Sequence, residues 1–207
     1  MSTFIHGGKL DDVVKNFGGM FDIAYIDPPW PYDGDPNKMG AAGKHYSLMS
    51  EADISAMPVR KLFGKRGIAF VWATGPRMGM AYRCISAWGL HDRGLGAVWI
   101  KTSKNTGKPI GAQGVRPSHV KQLDEFLIIA STVPAGRTFP LLTESQHQNV
   151  FTPRGAHSWK PPIFRDRITE LLGDRPRIEL FARETAPGWH CWGHGVQSGS
   201  DPVILSS

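Results

Sequence analysis

Four consecutive residues, Asp27-Pro28-Pro29-Trp30, combine chemistry that is rarely so close together. They follow Phe21-Asp22-Ile23-Ala24-Tyr25-Ile26, a short apolar run of the kind that forms a buried strand. The two prolines then bar a helix and supply no backbone N–H, so the carbonyls here are acceptors with restricted directions. A carboxylate, rigid carbonyl acceptors and an indole ring are thus gathered at one strand end. Such a cluster suits a planar ligand whose edge carries hydrogen-bond donors.

Two further groups of residues carry chemical potential. From Thr102 to Val120 the chain is rich in Lys, Gly, Ser and Pro without an apolar period. In and beside that stretch, Lys101, Lys104, Lys108, Arg116, His119 and Lys121 can line a phosphate backbone or form a solvated loop. Near the C-terminus, His190-Cys191 and His194 hint at a metal site. A matching second pair of ligands is missing from the sequence, so no metal is expected.

The elements that position these residues alternate between strand and helix. Strands are expected at 21–26, 67–73, 95–101, 124–131, 149–151, 177–182 and 189–192. The opening segment reads as a short strand, a turn and a short helix. Ser50-Glu51-Ala52-Asp53 has the form of a helix start with Ser50 as N-cap, and Pro58 interrupts that helix. A second helix runs from about Arg77 to Trp88, ended by Gly89. A third runs from Ile163 to Leu172, bracketed by Pro161-Pro162 and Gly173. Alternation of this kind calls for a mostly parallel α/β sheet flanked by helices, with ligands at the strand carboxyl ends. The Gly- and Pro-rich run Pro31–Gly43 borders that edge and is either a substrate-contacting lid or a surface excursion.

With 207 residues the chain supports one well-buried domain, expected to span 1–207. Apolar content of 41% and charged content of 20% argue against a largely disordered chain. The net charge of +6 favours a polyanionic partner only slightly. Two cysteines, Cys84 and Cys191, are too few for a disulfide framework, and no signal-like leader is visible, so a cytoplasmic setting is expected. No stretch approaches the roughly 18 apolar residues of a membrane span.

An ordered set of motifs resembles one family. Asp27-Pro28-Pro29-Trp30, His45-Tyr46-Ser47-Leu48-Met49-Ser50, Phe70-Val71-Trp72-Ala73-Thr74-Gly75, Trp99-Ile100-Lys101-Thr102, Ser158-Trp159-Lys160-Pro161 and Ile178-Glu179-Leu180-Phe181-Ala182-Arg183 stand as in the MT-A70 family of adenine-N6 methyltransferases. The resemblance implies a Rossmann-like class I methyltransferase fold in which the catalytic motif precedes the cofactor motif. It implies S-adenosylmethionine as methyl donor, held by Asp27, Ser158, Lys160, Glu179, Arg183 and His194. It also implies catalysis by Asp27, Pro28, Pro29 and Trp30.

The residues support that chemistry independently. Adenine N6 is a poor nucleophile because its lone pair is delocalised into the ring, and it bears two hydrogens. Acceptors at the Asp27 carboxylate and the Pro28 carbonyl would draw it toward a tetrahedral geometry, while Trp30 stacks on the base. Tyr46 and Trp72 match family aromatics near the pocket, although Trp72 also suits core packing. Glu125 matches a substrate-side glutamate or is a buried structural carboxylate. Glu179 and Arg183 either grip the donor or form an exposed ion pair.

One departure stands at His194-Gly195, where the family usually places Asn followed by Glu or Gln. DNA is the expected substrate, contacted in part by Lys104 and Arg116, with RNA the alternative and a homodimer the expected assembly. A non-catalytic partner subunit is the competing reading from another class.

Overall fold

The apolar run before Asp27 forms the strand around which the other elements are arranged. In the computed structural model, which describes residues 3–6, 9–31, 48–110, 119–120, 123–155 and 159–193, this is β2 (Phe21–Ile26). It follows β1 (Thr3–His6) and α1 (Leu10–Phe17). Then come α2 (Glu51–Ser55), β3 (Phe63–Thr74), α3 (Met78–Ala87), β4 (His91–Thr102), β5 (Asp124–Ser131) and β6 (Asn149–Pro153). The chain continues through α4 (Ile163–Leu172), β7 (Arg177–Leu180) and β8 (His190–Gly193).

Among the described residues the strands form one eight-stranded sheet in the order β1-β8-β7-β2-β3-β5-β4-β6. Pairings are parallel except on the two sides of β5, which runs antiparallel to both β3 and β4. This reversal matters for the site. The amino end of β5 lies where its neighbours reach their carboxyl ends, and Glu125 stands level with Thr74 on one side and Trp99 on the other.

Side chains alternate across the sheet and build a core on each face. Ala24 and Ile26 join Leu10 and Val13 of α1, Ile54 of α2 and Ala81, Cys84 and Ile85 of α3. Ile23 and Tyr25 face the other way, with Trp72, Trp99 and the Phe164, Ile168 and Leu172 ridge of α4. Burial on both faces explains why β2 is apolar almost throughout.

Several boundaries differ from the sequence expectation. β3 starts at Phe63 because pairing with β2 begins there, Phe21 opposite Phe63, ahead of the apolar centre and through a register shift that carries the exposed Lys65 and Arg66. β7 stops at Leu180 because Phe181 takes a left-handed backbone, φ 64°. Ser50 caps α2 as expected, accepting from the Asp53 N–H at 3.1 Å, and its hydroxyl donates to the Asp53 carboxylate at 2.6 Å. No helix among the described residues is long and apolar enough to cross a membrane.

At the end of β8 the backbone of Gly193 lies against Ala182, whose N–H donates to the Trp192 carbonyl at 2.9 Å. A Cβ at Gly193 would stand 2.1 Å from the Ala182 carbonyl oxygen. Gly193→Ala therefore forces two backbone segments apart and is expected to cost about 1–3 kcal/mol, read as a lowered urea midpoint. An unchanged midpoint would mean that these segments separate freely.

Candidate active site

Asp27 is the first residue past β2, and its N–H points to the Leu180 carbonyl at 3.5 Å, which ties it to the end of β7. The turn that follows is closed by the Trp30 N–H donating to the Pro28 carbonyl at 2.8 Å. That bond aims the Pro28 carbonyl and leaves it a second lone pair for a ligand. The Pro29 carbonyl accepts from Met49 N–H at 3.1 Å, so neither proline carbonyl is free to swing.

Trp30 corrects an expectation. The residue is 8% exposed, packed in the core, and its indole N–H donates to the Trp72 carbonyl at 2.9 Å. It braces the turn against β3 and presents no open stacking plate in this conformation. Trp72 is likewise a core residue, 1% exposed, with edge contacts to Tyr25, Trp99 and Phe164.

The dominant electrostatic feature is a chain of alternating charges. Lys160 Nζ donates to Asp27 Oδ2 at 2.8 Å and stands 3.2 Å from Glu125 Oε2 and 5.3 Å from the centre of the Trp72 ring. Glu125 Oε1 accepts from Lys101 at 2.5 Å. The side chains of Asp27, Lys160 and Glu125 are only 17%, 12% and 15% exposed.

Burial sets the titration of each group, with its partners pulling against it. Burial pushes Asp27 up, and Lys160 offsets this only in part. In Glu125 the effect of burial is overcome by Lys160 and Lys101 together, which hold the carboxyl below its usual range. Burial opposes charge on Lys160 as well, yet Asp27 and Glu125 raise it, so the ammonium is secure.

A second cluster lies beside the first. Glu179, level with Tyr25 of β2, accepts at Oε2 from Arg165 Nη1 at 2.8 Å, and Arg165 Nη2 donates to Glu184 Oε1 at 2.5 Å. Burial raises Glu179, with Arg165 countering it. Asp27, Trp159, Lys160, Arg165, Glu179, Phe181, Arg183 and Glu184 line one cleft. Arg183 is close enough to lower the Asp27 carboxyl electrostatically. A more open hollow lined by Tyr82, Ser86, His91 and Asp92 sits at the opposite sheet edge, where β4 begins, away from this convergence.

Asp27, Lys160, Glu125, Glu179 and Arg183 are thus brought to one place from four chain segments. The exposed Glu179–Arg183 pair weighed from sequence gives way to a buried Glu179–Arg165 pair, because α4 packs its first turn over the end of β7. Arg165 itself escaped the sequence reading. The available signal was an arginine beside Phe164 on the buried side of an amphipathic helix. Lys101 is not a phosphate contact here, since it turns inward to Glu125. Lys104 and Lys108 are exposed, as that reading requires. Tyr46, Arg116, Ser158 and His194, with Gly195, lie outside the described residues.

The cleft suits a zwitterionic nucleoside. Carboxylates of Asp27, Glu179 and Glu184 can accept from hydroxyl and ammonium groups, while Lys160 and Arg183 can meet a carboxylate.

Comparison with known proteins identifies the family. The MT-A70 family model matches residues 21–195. The chain is 26% identical over 192 residues to the type II methyltransferase M.MunI of Mycoplasma sp, covering 84% of this chain and 76% of that protein. It is 29% identical over 194 residues to the N6-methyladenosine RNA methyltransferase MTA1 of Pyricularia oryzae, covering 85% of this chain but 47% of the relative. It is also 29% identical over 195 residues to the N(6)-adenine-specific methyltransferase METTL4 of Mus musculus, covering 87% of this chain and 38% of the relative. The chain therefore spans less than half the length of these last two.

Proposed function

The chain belongs to the MT-A70 family, and on that premise we propose that it methylates adenine at N6, taking the methyl group from S-adenosylmethionine, with DNA as the polymer. The observation that carries the reading is the Asp27 carboxylate beside the fixed Pro28 carbonyl at the mouth of a cleft of matched charge. Asp27 and Pro28 accept the two N6 hydrogens, which localises the nitrogen lone pair and turns it toward the cleft. Lys160 and Arg183 hold a carboxylate, and Glu179 accepts from ribose hydroxyls. The donor supplies an electrophilic methyl group on a sulfonium, so direct displacement needs no covalent enzyme intermediate. Once methylated, N6 is strongly acidic, and Asp27 or solvent takes its proton.

The base enters flipped out or from a single strand, because N6 is inaccessible to such a cleft within a duplex. Exposed Lys104 and Lys108 follow β4 at the same edge and suit the phosphate backbone. RNA is the second reading, favoured by the 29% identity to MTA1. A second copy of the chain is the partner we assign to help hold the polymer, tested by light scattering. Matched DNA and RNA oligonucleotides, single- and double-stranded, should separate the polymers: N6-methyladenine is expected in DNA by nucleoside mass spectrometry. Modified RNA with untouched DNA would reverse the assignment, and no modified adenine in any of them would sink the reading.

A further inference from the structure

Resting on the donor reading, we propose that Arg165 is a positioning residue that fixes Glu179 as the acceptor for a ribose hydroxyl of the donor. The side chain of Arg165 is 9% exposed and that of Glu179 is 10% exposed. Around Arg165, α4 is committed to apolar packing through Phe164, Ile168 and Leu172. A buried guanidinium is a costly choice there, since well-packed apolar residues commonly replace buried ion pairs without loss of stability. Geometry accounts for its presence. Its planar fork spans Glu179 on β7 and Glu184 on the following loop, so the guanidinium is held from two sides and Glu179 loses its rotamer freedom. Arg165 uses only Oε2 of Glu179, on a residue that lines the cleft. A lysine, with a compact ammonium, cannot reproduce both contacts in the same plane.

The test is calorimetric titration of the full chain with S-adenosylhomocysteine and with its counterpart lacking the ribose hydroxyls. The wild-type chain is expected to prefer the hydroxylated ligand by about tenfold or more, the worth of a hydrogen bond to a charged group. Arg165→Met should lose most of that preference while binding the deoxygenated ligand as the wild type does. In a Glu179→Gln background, adding Arg165→Met should change little, because both substitutions remove the same contact. Arg165→Lys should keep part of the preference, and it serves if Arg165→Met does not fold. Full preference retained in Arg165→Lys or Arg165→Met, or equal weakening toward both ligands, would overturn the proposal. Failure of the wild-type chain to bind S-adenosylhomocysteine would instead remove the donor reading on which it rests.

Discussion

Asp27→Asn is expected to lower methyl transfer by about 100- to 1000-fold, the scale of removing one preorganised electrostatic contact to a reacting group, without lowering the melting temperature. The loss follows from replacing an anionic acceptor by an amide that can also turn a donor toward N6. The retained stability follows from the titration of Asp27. Burial raises its carboxyl above the unfolded value. Between the two values the folded chain binds more protons than the unfolded chain, so stability falls as pH rises, and above both the ionised carboxylate carries the full penalty. A neutral side chain escapes that penalty. By the same shift, wild-type turnover should drop on acidification at a pH above the usual aspartate range, as Asp27 takes up its proton. A variant with near wild-type turnover, or an acid limb at the value of a free aspartate, would refute this account.

Lys160→Met should be the most damaging single change to both stability and activity. Lys160 is the shared cation of Asp27 and Glu125, and deleting it leaves two nearly buried carboxylates facing one another. Breaking a buried pair in this way costs about 3 kcal/mol or more, visible in urea denaturation. Both carboxylates should then move up, since Lys160 is the main group lowering each of them. More of Asp27 is protonated at neutral pH in the variant, so its activity deficit should shrink as pH rises. A deficit independent of pH would mean that Lys160 serves the donor alone and does not set the state of Asp27.

How far such roles could be read from sequence depended on the range of the interaction involved. The 163–172 helix and the 124–131 strand matched residue for residue, because their limits are written locally in Pro162 and Gly173 and in a continuous apolar run. Asp27 was legible for the same reason, as a motif at the end of such a run. Sequence leaves Glu125 open between a substrate-side and a structural role because its place depends on the direction of β5, and strand direction leaves no trace in an apolar run. Arg165 was invisible as a site residue since its partners lie 14 and 19 residues away on other elements. The ring of Trp30 suggested stacking, whereas the fold uses its N–H to lock the turn to β3.

The placement of β5 also bears on how the molecule is assembled. In the sheet, β5 alone joins the block β1-β8-β7-β2-β3 to the block β4-β6, although it is made after both β3 and β4. Until β5 inserts, the facing edges of β3 and β4 are both unpaired, and such long-range insertion is slow and exposed to aggregation. Glu125 enters with β5, and Lys160 follows it in the chain, so the charge chain from Asp27 to Lys101 closes only when both are in place. Catalytic competence is therefore expected as a late event in folding, after β5 has covered the β3 and β4 edges and the segment carrying Lys160 has docked.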